Sequence, residues 1–110
     1  MDTVLERQRG EKTVEDMSSG IEYCRLMHMA FPKSVKLARV KLNVMNEPER
    51  LYNFKLLQEA FDRVGIRKHI PVDRLIKGRF QDNLEFLQWF KKMFDVNHSR
   101  HHQAFVVALP

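Results

Sequence analysis

A single cysteine, Cys24, among 110 residues excludes an intramolecular disulfide, and nothing in the chain calls for an oxidising compartment. Glycine is equally sparse: Gly10, Gly20, Gly65 and Gly78 stand alone, which leaves no Gly-rich phosphate loop and no nucleophile elbow. No paired-carboxylate arrangement is present either, so neither catalysis nor a small-molecule substrate or cofactor is expected. No apolar run approaches the ~20 residues of a bilayer span. The N-terminus is mixed charged and polar, without the apolar core of a signal peptide. Heptads are absent as well, so no coiled coil is expected and the chain reads as a monomer. A binding domain in the cytosol or nucleus is the expectation.

What remains is an ordinary globular balance, 44% hydrophobic and 30% charged residues, enough for one domain burying roughly 65% of its unfolded surface. Lys and Arg number 19 against 14 acidic residues, a net charge of +5 with a pI near 9.6. That excess favours an anionic partner, with nucleic acid, acidic lipid and acidic protein all open.

Several helices can be read along the chain. Thr3 and Glu6 have capping-box spacing and predict a short helix over Val4 to Arg9 within a polar segment, residues 1–14. Ser19 and Glu22 repeat that spacing before a helix Gly20 to Phe31, whose Ile21, Cys24, Met27 and Phe31 share one face. Pro32 ends it. Lys33 to Asn46 alternates apolar and polar residues, which fits a short strand or an extended loop with a helical turn. Pro48 suits a first helical turn, and Leu51, Phe54, Leu57 or Gln58, and Phe61 mark a buried stripe running to Val64, with Gly65 as its stop. A short helix Val72 to Lys77, stopped by Gly78, precedes a longer one capped by Asp82 and Glu85. That helix carries Leu84, Phe86, Leu87, Trp89, Phe90, Met93 and Phe94 around more than one face, which predicts a central position. The main domain is drawn at 15–97, with 98–110 as a tail.

Few residues offer chemistry. His98, His101 and His102 form the one cluster resembling a metal site, but no Cys or carboxylate stands at ligand spacing, so no metal is expected. His28 lies one turn after Cys24, yet Cys24 falls on the apolar stripe and reads as a buried small hydrophobe. Phe80, Phe86, Trp89, Phe90 and Phe94 could stack on bases, but at helical spacing they read as core. The basic residues form two groups, Lys33, Lys36, Arg39 and Lys41, then Arg63, Arg67, Lys68, Arg74, Lys77 and Arg79. Both fall largely between helices, where binding residues tend to sit.

The run from Ile70 to Asp95, with its Ile-Pro-Val-Asp, Lys-Gly-Arg-Phe-Gln-Asp-Asn and Gln-Trp-Phe-Lys-Lys motifs, closely resembles the calponin-homology domain of the end-binding family of microtubule plus-end-tracking proteins. Asn53 to Gln58, Gly20 to Met27 and Met29 to Pro32 carry the same resemblance, which runs from about Glu15 to Asn97. It implies an all-α, calponin-homology-like helical globule in the cytoplasm, at the microtubule cytoskeleton. The implied partner is tubulin in microtubules at growing plus ends, with effects on their dynamics. Nucleic acid and membrane become unexpected partners. Carried onto this sequence, the family's contacts fall on Arg39, Lys41, Lys68, Arg79 and Gln81, with Lys77 in support. Arg39 and Arg79 stand where the family commonly has lysine, and Met45 where a lysine is expected. The family's Trp-bearing first helix has no full equivalent, so that helix is expected to be lacking or degenerate. The alternative is a truncated or divergent interaction module with weak or no microtubule tracking, or one that binds actin.

Overall fold

The computed structural model describes residues 14–102, with side chains as far as His98. Among these residues there is no strand. A 3₁₀ helix, Glu15–Ser19, leads into α1 (Ile21–Ala30); a second 3₁₀ helix, Leu37–Arg39, precedes α2 (Glu47–Val64), α3 (Val72–Leu75) and α4 (Phe80–His102). The helix expected over Val4 to Arg9, and with it the question of the first helix, lies outside the described residues.

Local chemistry sets most boundaries. The Asn46 side chain caps α2 by accepting from the Glu49 N–H at 3.0 Å, and Pro48 occupies the first turn, where its missing N–H costs no helical bond. Gly65 closes the other end in a left-handed conformation, φ 83°. Its N–H donates to the Asp62 carbonyl, and the Ile66 N–H reaches back to the Phe61 carbonyl at 2.8 Å, the paired bonds of a Schellman stop. The segment 33–46 resolves as an extended loop around one 3₁₀ turn.

Two expected caps take a different form. Ser19 does not cap α1 through Glu22. Gly20 is the residue before the helix, at φ 81°, and the Ser19 hydroxyl accepts from the Ile21 N–H two residues on. The last helix starts at Phe80, so Asp82 lies inside its first turn rather than ahead of it; the Asn83 N–H is already bonded to the Arg79 carbonyl. A carboxylate there still favours the positive helix N-terminus. The helix also continues through Asn97 to His102.

The core forms where α1, α2 and α4 meet. Tyr23, Phe54, Phe61 and Phe90 are wholly buried, with Cys24, Met27, Leu57, Ile70 and Leu75. Tyr23 meets Phe86 and Phe90 edge-on, with centroids 5.0 and 4.9 Å apart, the arrangement aromatic quadrupoles favour. Its hydroxyl has no partner among the described residues, and burial raises its pKa well above the ordinary tyrosine value. Met17 adds apolar surface from the first 3₁₀ helix, and Phe86, Phe90 and Phe94 give α4 its buried stripe. The aromatic residues that periodicity assigned to the core are there, except Phe80, which is half exposed, and Phe31 and Trp89, which are partly buried.

Candidate functional site

The six residues expected to touch a partner all lie in, or immediately beside, segments that connect helices, and Arg39, Lys41, Lys77, Arg79 and Gln81 are exposed, while Lys68 is partly buried. Long cationic side chains on mobile loops would make a poor recognition surface, because ordering them on contact costs entropy. Here the loops are held by side-chain amides.

Asn53, wholly buried in α2, accepts from the Lys41 N–H at 2.8 Å and donates to the Lys41 carbonyl at 3.0 Å and the Ser19 carbonyl at 2.9 Å. Its own carbonyl accepts from the Cys24 thiol. Five residues along α2, Gln58 donates to the Lys68 carbonyl at 3.1 Å and accepts from the Ile70 N–H at 3.0 Å. Asn83, wholly buried in the first turn of α4, donates to the carbonyls of Arg79 at 2.9 Å and Leu75 at 3.2 Å. Each cationic loop is thus tied through its backbone to a helix of the core, which leaves its side chains free to face outward. Arg50 adds a fourth tie, its guanidinium donating to the Ile76 carbonyl at 2.7 Å. Arg63 donates to the Ser34 carbonyl, so this member of the basic groups braces the fold.

Two ammonium groups rest on aromatic rings. Lys41 Nζ lies 4.7 Å from the Tyr52 ring centroid, and Lys68 Nζ lies 5.1 Å from that of Trp89. Such contacts fix a cation's position while leaving its charge uncompensated, at ~0.5–1 kcal/mol for exposed pairs. Trp89 therefore has two duties. One part of it packs against Phe61 and Phe86 in the core, and the ring also seats Lys68.

The structure joins some of the expected residues and separates others. Asn53 links Lys41 to Ser19, and the neighbouring Ser18 hydroxyl lies 3.6 Å from where a Cβ on Gly78 would stand. The Lys41 loop and the Lys77–Arg79 turn thus meet across the first 3₁₀ helix. Gln81 bonds Glu85 at 3.1 Å, and Glu85, Asp82 and Lys68 line one shallow depression, which brings Lys68 to the same end of α4. Arg39 lines a separate depression with Lys36, Glu59 and Arg63.

The histidine cluster of His98, His101 and His102 reaches past the described side chains, which end at His98. No group of three or more His, Cys, Asp or Glu residues among the described residues could hold a metal. Cys24 is wholly buried, and burial pushes its thiol up to about 12. No described helix is long and apolar enough to cross a membrane. Sequence reasoning missed the clamping amides. The signal available was a polar amide on an apolar stripe: Asn53 precedes Leu57 by four residues, and Asn83 precedes Phe86 by three.

Comparison with known proteins agrees with the helical fold. The family model described as "Calponin homology (CH) domain" matches residues 3–99. A solved structure described as "Structural Basis of Microtubule Plus End Tracking by XMAP215, CLIP-170 and EB1" is 40% identical in sequence. It superposes with a TM-score of 0.80 over 87% of this chain and 83% of that one. With a helical core built on the expected stripes and a family match spanning nearly its full length, the chain belongs to the calponin-homology domains, in their end-binding branch.

Proposed function

We propose that this domain binds microtubules without performing catalysis, and that it favours their growing plus ends. Its contacts with acidic tubulin surfaces run through Arg39, Lys41, Lys68, Arg79 and Gln81, with Lys77 in support. One observation carries the reading: the loops bearing Lys41, Lys68 and Arg79 are each clamped to a core helix by an amide, Asn53, Gln58 or Asn83. A cationic surface held in this way meets an anionic lattice with little left to order. The likeness to a plus-end-tracking structure supports the microtubule as that lattice. The domain acts as a monomer in the cytoplasm and engages through one set of contacts, so its affinity gains nothing from avidity and falls steeply with salt.

Co-pelleting with taxol-free microtubules tests the reading, with actin filaments as the control polymer. Lys68→Glu and Arg79→Glu should each weaken pelleting at least about tenfold, since like charges brought together at an interface cost several kcal/mol. Lattices grown with a slowly hydrolysed GTP analogue should bind more protein than GDP lattices. Undiminished pelleting of both charge reversals, in variants that melt like the parent, would refute the assignment.

A further inference from the structure

The loop that carries Lys41 also exposes apolar surface. Leu42 is 63% exposed and Met45 74%, the two largest values among the large hydrophobic residues described. They do not sit on a slack segment. Lys41 is fixed on one side by the two Asn53 bonds, and on the other the Met45 N–H donates to Glu49 Oε1 at 2.6 Å, just before Asn46 caps α2. The span between is a short tip anchored at both ends, with the Tyr52 ring beside it under the Lys41 ammonium. Leaving two large apolar side chains in water on an anchored tip is unfavourable unless something covers them.

We propose that Leu42 and Met45 form an apolar contact that enters a recess on the same acidic protein surface engaged by the cationic loops; this rests on the function proposed above. Charge complementarity selects that occupant, because Arg39 and Lys41 precede the tip and direct it to an anionic surface. A second copy of the chain fits poorly. Two side chains cannot supply the ~1,200 Å² that a stable interface buries, and a face rich in cations repels itself. A lipid surface fits poorly as well, since lasting interfacial attachment takes a helix-long apolar face or an acyl chain. The tip gives the interface a component that salt does not screen.

The test is co-pelleting across a salt series with Leu42→Ser/Met45→Ser and, separately, Met45→Lys. The double variant should bind roughly tenfold more weakly, which corresponds to ~1.4 kcal/mol. The loss should be equal at every salt concentration, because no charge is removed. Met45→Lys exchanges the apolar contact for an ionic one, so its binding should fall more steeply with salt than that of the wild type. Wild-type affinity in the double variant overturns the proposal, as does a Met45→Lys variant whose salt dependence is that of the wild type. So does a double variant that pellets normally but loses binding to anionic vesicles, or loses concentration-dependent self-association. A wild-type domain that does not pellet refutes the microtubule reading itself, whereas normal wild-type pelleting with unaffected variants refutes the tip alone.

Discussion

Replacing Asn53 by alanine should be among the most damaging changes that touch no aromatic residue. Its side chain makes three hydrogen bonds, two to Lys41 and one to Ser19, at 2.8 to 3.0 Å. Each contributes a net ~0.5–1.5 kcal/mol, and a buried group left without a partner costs ~1–3 kcal/mol. The sites are part-buried, so water can recover some of the loss, and the expected destabilisation is about 2 to 4 kcal/mol. Against a total of ~5–15 kcal/mol that is a large fraction, roughly 10 to 20 °C in Tm for a chain of this length. Asn53→Asp keeps the acceptor for the Lys41 N–H but turns a carboxylate oxygen toward the Ser19 and Lys41 carbonyls. Its cost should therefore be greatest at neutral pH and shrink as the carboxyl protonates on acidification. Urea unfolding measures the stability, and hydrogen exchange at the Lys41 amide reports the clamp directly. A loss below about 0.5 kcal/mol for Asn53→Ala, with Lys41 protection unchanged, would show that the amide does not hold the loop.

Two other outcomes follow from the same neighbourhood. Gly20 sits at φ 81°, and a Cβ there would stand 2.9 Å from Asn53 Cβ, whereas at Gly65, φ 83°, it would meet nothing within 4 Å. Gly65→Ala should cost only the left-handed strain of ~1–2 kcal/mol; Gly20→Ala should cost about 1 kcal/mol or more beyond that in denaturant melts, and equal losses would argue against the close approach. The Cys24 thiol is neutral in the fold because burial raises its pKa from 9.0 to about 12, so this contribution to stability is complete below pH 9 and is lost as pH rises from there toward 12. Iodoacetamide at about pH 8, below the ordinary thiol pKa, should label Cys24 only as fast as the chain opens, and rapid labelling of the folded domain would contradict the burial.

The helical frame was readable because it rests on local rules. The Cys24–Met27 face, the Phe54–Leu57–Phe61 stripe and the Phe86–Phe90–Phe94 stripe follow from ~3.6-residue periodicity, and Gly65 and Pro32 act on their own neighbours. The start of α4 was less legible. Asp82 and Glu85 match a capping box by spacing alone, whereas the Arg79 and Leu75 carbonyls, joined through Asn83, are what organise that end. Exposure of the site residues could be expected from their charge, but their placement could not. The bond from Asn53 to Ser19 spans 34 residues and that from Arg63 to Ser34 spans 29, and no pattern in a single sequence pairs positions so far apart. Trp89 shows a further limit, since periodicity marks a ring as apolar and is silent on a lysine resting over it.

The Asn53 amide meets the N–H and the C=O of one residue, Lys41, as the facing residue of an antiparallel strand would; Gln58 meets the carbonyl of Lys68 and the N–H of Ile70, as a parallel strand would. A helix thereby offers loops the support that other folds take from a sheet. These bonds reach only main-chain atoms and are indifferent to what each loop residue carries. The outward side chains can change, arginine for lysine at 39 or 79, methionine for a cation at 45, without rebuilding the scaffold. The same helical frame can therefore diverge in what it grips while its loops keep their shape.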